Sequence, residues 1–168
     1  IKAIKIINKH GKERGKNGLP KFLPGINLIF GLKEESKNTF KENYNWLKRI
    51  LDEDLLLRRI NIREAVIFQG TELAEIGNKY LKKNRKYYWK WRNQIRQEID
   101  LPLLKKLVPK GTILKDVRME IYEGKKTFGR QIGTYPLIAG INKRLEIGKF
   151  YNVKVIDHLL RSVVVEVV

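Results

Sequence analysis

Phe22-Leu-Pro-Gly-Ile-Asn-Leu-Ile-Phe-Gly-Leu-Lys-Glu-Glu-Ser-Lys-Asn-Thr-Phe40 is the stretch on which the fold reading turns. Ile26–Phe30 is a short apolar strand that runs into Gly31 and an acidic pair, Glu34 and Glu35. Ser36, with Thr39 three residues on, opens a helix whose apolar positions Phe40, Tyr44, Leu47 and Leu51 recur at helical spacing. Further along, 58–68 reads as a second strand, with Ile60, Ile62, Val66 and Phe68 apolar and Arg59, Asn61 and Arg63 between the first of them. Strand, helix, strand implies a right-handed parallel crossover.

The strand–Gly–Leu–x–x–Glu–Ser–helix unit of 26–40 resembles a late βα unit of the radical S-adenosylmethionine barrel. Ile60-Asn-Ile-Arg-Glu-Ala-Val-Ile-Phe-Gln-Gly-Thr-Glu-Leu-Ala74 resembles the next strand and its Gly-Thr-x-Leu exit. The resemblance implies an α/β fold, part of a TIM-type barrel of parallel strands. By position, it also implies that Gly25, Asn27, Gly31 and Glu35 lie near the adenosine of S-adenosylmethionine, with Asn61 and Arg63 as further contacts. Two readings of Gly25 and Gly31 stand side by side. Either they admit a planar ring that a Cβ would block, or they fit a tight strand–helix turn. Arg63 faces inward as a functional group or closes the strand end in an ion pair, while Arg58 and Arg59 read as surface charges.

Enzymes of that family hold a [4Fe-4S] cluster on Cys-x-x-x-Cys-x-x-Cys, and this sequence contains no cysteine. His10 and His158 do not replace a thiolate set, so the chain alone builds no cluster. The expectation is a C-terminal portion, or a separately made half, that needs an N-terminal cysteine-bearing partner. A first residue of Ile1 in place of Met agrees with that expectation.

Beyond Val108-Pro-Lys-Gly111 the pattern changes to period two with glycine turns. Candidate strands are 113–122, 127–132, 135–138, 150–157 and 162–168, which suggests a small closed barrel. Phe128-Gly-Arg-Gln-Ile132 and Gly148-Lys-Phe-Tyr-Asn-Val-Lys-Val155 resemble the OB-like TRAM domain of radical S-adenosylmethionine tRNA-modifying enzymes. Arg130-Gln-Ile-Gly-Thr-Tyr-Pro136 and the loop 11–20 resemble an archaeal subfamily of such proteins. The organisation expected is therefore 1–75 as barrel portion, 76–107 as a helical connector and 108–168 as a TRAM/OB-like barrel. Within 73–98 the pattern fits one long helix or a broken pair, ended by Asp100-Leu-Pro102.

The charge points to a partner. Thirty-six Lys and Arg against eighteen Asp and Glu leave a net +18, a balance that suits a polyanion. A lysine-rich composition that fills solvent faces gives the same number. The cations concentrate in 78–98, where Lys79, Lys83, Lys86 and Lys90 fall on one helical face. Trp89 and Trp91 are interleaved with them, and rings beside basic groups suit unpaired bases. Tyr122, Phe128, Arg130, Tyr135 and Lys143 or Arg144 could add a stacking surface on the tail barrel.

His158 beside Asp157 forms no triad with Ser162, because adjacent strand residues face opposite sides. No metal-ligand spacing, P-loop or nucleophile elbow occurs. No segment reads as a membrane span or signal peptide, and a cytoplasmic location is expected. Two functions are compatible with these readings. One is a part of an iron–sulfur oxidoreductase-like protein that helps bind S-adenosylmethionine, substrate and RNA or tRNA. The other is a stand-alone RNA-binding module with a relic half-barrel.

Overall fold

The computed structural model describes all residues except Thr134, Tyr135 and Pro136. Strand β1 (Gly25–Phe30) pairs in parallel with β2 (Arg59–Glu64), Ile26 opposite Ile60 and Phe30 opposite Glu64. A first helix, α1 (Lys2–Gly11), precedes them, and α2 (Lys37–Asp52) runs between them. Helix α2 opens where Ser36 N–H donates to Thr39 Oγ1 at 3.1 Å. Phe40, Leu47 and Ile50 of α2 are buried in one cluster with Phe30, Ile60 and Ile62, and the Phe30 and Phe40 rings stack at 4.6 Å.

Helix α1 is fastened to this unit by a buried side chain. Asn8 Nδ2 donates to Leu56 O at 3.0 Å, and Leu56 N–H donates to Asn8 Oδ1 at 2.7 Å. One amide thus satisfies both backbone groups of a buried residue in the α2–β2 connection.

This geometry overturns the TIM-type barrel expected from the sequence. Among the described residues the parallel sheet has two strands and does not close. After Ala65 N–H donates to Phe30 O at 2.7 Å, the chain leaves the sheet. Strand β2 therefore stops at Glu64, and Val66 and Phe68, expected to continue it, are exposed. The chain then turns helical: α3 (Glu72–Ile76), α4 (Lys79–Ile95), a π-helical turn (Arg96–Asp100) and α5 (Leu101–Leu107). None of these returns to a third parallel strand.

Pro102 does not end the helical run as expected from its sequence. The wider π turn precedes it, and a ring that would clash with the carbonyl four residues back is accommodated at the start of α5. The same turn sets Arg96 and Asp100 together as a buried ion pair, and Arg96 Nη1 also donates to Ile60 O at 2.8 Å.

The closed barrel of this protein lies at its C-terminal end and is mixed, mostly antiparallel. Its strands are β3 (Ile113–Glu123), β4 (Lys126–Gln131), β5 (Ile138–Ile141), β6 (Phe150–His158) and β7 (Ser162–Val167). They close in the order β3-β4-β5-β7-β6, with β5 and β7 parallel, an OB-like arrangement. Alternation fills the interior with Leu114, Val117, Met119, Ala139, Val153, Val155, Val163 and Val165.

Leu104, Leu107 and Val108, together with Leu19 and Leu23 of the loop after α1, join the same core cluster. Gln131 Nε2 donates to Asn17 O at 2.6 Å, and Arg14 donates to Leu107 O at 2.8 Å, so the loop is stitched to both the barrel and α5. The barrel and the α/β unit are thus packed together through α5 and this loop. Among the described residues no helix is long and apolar enough to cross a membrane.

Candidate nucleic-acid interface

Helix α4 turns Asn84, Tyr88 and Ile95 inward and is anchored by Asn84 Nδ2 donating to Glu35 O at 2.9 Å. At about 100° per residue, Lys79, Lys83, Lys86 and Lys90 lie on the side opposite Tyr88, and all four are exposed. The expected basic face therefore exists. A second, mostly exposed stripe lies beside it and is not apparent in the linear sequence. Lys82, Arg85, Trp89 and Arg92 share that side, with the Arg92 guanidinium 5.2 Å from the Trp89 ring.

Not one acidic residue occurs from Ile76 to Gln97. Among the described residues, none of Lys79, Lys82, Lys83, Arg85, Lys86 and Lys90 takes part in an ion pair within 4.0 Å.

The two tryptophans have different positions. Trp89 is 45% exposed, with the Arg92 guanidinium over its ring and Tyr88 edge-on to it at 5.2 Å. Trp91 turns the other way, half-buried with its ring 5.2 Å from Tyr44, and belongs to the α/β core. Their separation by two residues rotates them about 200° apart on a helix, which linear interleaving conceals.

On the barrel, Arg130 is exposed and paired with Glu120 at 2.7 Å. Tyr122 is covered on one face by Arg144, whose guanidinium lies 4.8 Å from the ring, and its hydroxyl donates to Leu145 O at 2.8 Å. Phe128 packs where a Cβ on Gly140 would sit, at 2.9 Å. The tail aromatics thus serve the barrel first. Tyr135 lies outside the described residues. His158 Nε2 donates to Val108 O at 2.7 Å, while Asp157 pairs with Lys110.

The residues expected near S-adenosylmethionine divide into two groups. Gly31 has φ +97°, and a Cβ there would sit 2.9 Å from Leu81 Cδ1. Its N–H donates to Glu35 Oε2 at 3.0 Å, and Glu35 is buried. Burial pushes the Glu35 carboxyl above its ordinary range, against the opposing pull of the Gly31 hydrogen bond.

Glycine at 31 is therefore demanded by backbone conformation and by Leu81, and Glu35 ties the β1–α2 turn to α4. The turn itself thus accounts for a glycine at 31 and a carboxylate at 35. Gly25, Asn27, Asn61 and Arg63 share the outer face of the two-stranded sheet, where Asn61 Nδ2 donates to Asn27 Oδ1 at 2.8 Å. They line neither of the two clefts at the barrel junction.

No family model matches the chain. It is 48% identical over 170 residues to an uncharacterized protein of Methanocaldococcus jannaschii, with 100% of this chain and 31% of that protein covered. It is 45% identical over 161 residues to an uncharacterized protein of Archaeoglobus fulgidus, with 96% of this chain and 30% of that protein covered. The chain thus spans about a third of the length of the curated relatives it matches, and both relatives are archaeal.

Proposed function

We propose that this chain is the single-stranded RNA-contacting part of a longer protein, with α4 as its principal contact surface. The observation that carries the reading is the uncompensated side of α4. Its cations face away from the core without a carboxylate partner, and an exposed tryptophan stands in their second stripe. Lysines at helical spacing neutralise successive phosphates and release counterions, while Trp89 offers a ring to an unpaired base. The OB-like barrel supports the reading as an architecture that often carries oligonucleotides on its second and third strands, here β4 and β5.

The test is a filter-binding salt series on a short oligouridylate, comparing the native chain with K83E/K86E/K90E. Three lost phosphate contacts flatten the slope of log K against log salt by roughly two, at about 0.7 per contact for single strands. Affinity falls more than tenfold while circular dichroism stays native. Unchanged affinity in the folded variant would leave α4 a solvated face and sink the proposal.

A further inference from the structure

Four arginines from three distant segments converge where the barrel meets the α/β unit. Arg58 and Arg59 stand at the entry to β2, Arg130 on β4 and Arg161 in the β6–β7 turn, and together with Asp100 they line a cleft of about 210 Å³. The volume is several times that of a water molecule, enough for a compact anion. Arg58 and Arg59, which read as surface charges in the sequence, are half-buried here.

We propose that this junction cleft is a phosphate-binding site, taking either a phosphate of a nucleic-acid chain or that of a small phosphorylated ligand. The first argument is charge. Among the lining residues four guanidinium groups face one carboxylate, Asp100, and that carboxylate is already ion-paired with Arg96, which does not line the cleft. Arg130 is also matched by Glu120, and Arg58 and Arg161 have contacts of their own, but the formal charge of the lining side chains stays positive.

Burial holds the Asp100 carboxyl above its ordinary range although Arg96, Arg161 and Arg59 pull it down, so this one carboxylate is shared among three guanidinium groups. The second argument is geometry. Nε of Arg59 is buried and has no hydrogen-bond acceptor among the described residues. Planar guanidinium forks match the oxygens of a phosphate two at a time, and a dry wall strengthens each such bond. Leu104 and Leu137, both buried, supply that wall. The third is assembly: neither unit holds all four arginines, so the site exists only because α5 and the loop after α1 lock the barrel against the sheet. It shares no residue with the α4 surface.

The experiment follows arginine Nε–Hε signals of the full chain by NMR during titration with inorganic phosphate, a 5′-phosphorylated oligouridylate and its 5′-hydroxyl counterpart. Saturable shifts at Arg59 are expected with phosphate, and R161Q, in an exposed turn, should weaken the apparent affinity at least tenfold. R130Q serves as a second variant, and K83E/K86E/K90E should leave the inorganic phosphate titration unchanged, which separates this site from α4.

Displacement of phosphate by both oligonucleotides at lower concentration identifies a chain phosphate as the ligand. Displacement by the 5′-phosphorylated strand alone identifies a terminal phosphate, and by neither a small phosphorylated ligand. Shifts that never saturate, or that survive R161Q and R130Q alike, would overturn the proposal. So would stronger competition by an oligoglutamate peptide than by any phosphate, which would make the cleft a seat for a carboxylate-bearing protein segment.

Discussion

Replacing Gly31 by Ala decides between a glycine kept for packing and one kept for a ligand. At φ +97° an L-residue pays a conformational cost of roughly 1–2 kcal/mol. The new methyl would also stand 2.9 Å from Leu81 Cδ1 and 3.1 Å from Leu81 Cβ. Cδ1, and Cγ at 3.3 Å, belong to the branched end of Leu81 and must shift to admit the methyl, so overpacking adds about 1 kcal/mol, the low end for an extra methyl in a filled site.

The single variant should therefore lose about 2–3 kcal/mol in urea-induced unfolding, a large share of the roughly 5–15 kcal/mol typical of a domain. Leu81→Ala removes Cγ and Cδ1, and with them most of the steric part, and leaves the backbone part together with the Cβ contact. In a double-mutant cycle the pair should then be more stable than the sum of the single variants by about 1 kcal/mol. A Gly31→Ala protein within roughly 0.5 kcal/mol of the native chain, or strict additivity with Leu81→Ala, would refute this account of the turn.

Asn8→Ala strips the partners from both Leu56 N–H and Leu56 O and should destabilise by about 2–4 kcal/mol, read from the urea midpoint at constant slope. Glu35→Gln keeps an acceptor for Gly31 N–H but cannot ionise. Because the native carboxyl is held above its ordinary value, the stability of its neutral form is present at low pH and is lost as pH rises through the raised value. The stability of Glu35→Gln relative to the native chain should thus increase as pH rises through and above the ordinary carboxylate range, and a flat or opposite trend in thermal melts would contradict the assignment. Trp89→Ala should weaken RNA binding by about 1–3 kcal/mol at unchanged salt slope, since stacking releases no ions. Trp91→Ala should do the reverse, lowering Tm through loss of its contact with Tyr44 and leaving the affinity of the folded protein intact.

The two halves of the chain are unequally legible. Alternation and glycine turns locate four of the barrel strands to within about a residue or two at each end, because each strand buries one face only and the pattern shows it. Of the strand expected at 135–138, Tyr135 and Pro136 lie outside the described residues, and the described β5 runs Ile138–Ile141, where short apolar residues follow one another without polar partners to mark the phase. In the first half the strand–helix–strand order is readable, and the pairing of β1 with β2 agrees with it.

The closure into a TIM-type barrel fails for a physical reason, because closure depends on the chain beyond Glu64. There the alternation of Val66 and Phe68 imitates a strand that no neighbour completes. The fate of Pro102 is hidden for a different reason: a π turn is a hydrogen-bond slip and leaves no compositional mark. Contacts such as Asn8 with Leu56 and Asn84 with Glu35 join residues 48 and 49 positions apart, and nothing in a linear pattern pairs them. The arginine cleft is the extreme case. Its side chains come from 58–59, 130 and 161, and only the docking of the barrel brings them together.

The distribution of charge bears on whether the +18 is mere lysine-rich filler. Filler should be interspersed with acids, since like charges repel and mixed signs cost less. Around the α2 C-terminus the chain follows that rule. Lys48 pairs with Asp52, Lys5 and Arg49 with Glu53, and Lys12 and Lys106 with Asp54. Along α4 it breaks the rule, spacing cations over the whole helix with no acid until Glu98, which Tyr44 and Gln94 already hold. A protein able to neutralise one helix through its own carboxylates has left the adjacent helix unneutralised. Self-repulsion along α4 is a standing cost in the free protein, and an incoming phosphate chain removes it. The segregation of the acids, more than the size of the net charge, is the physical reason to look for the polyanion at α4.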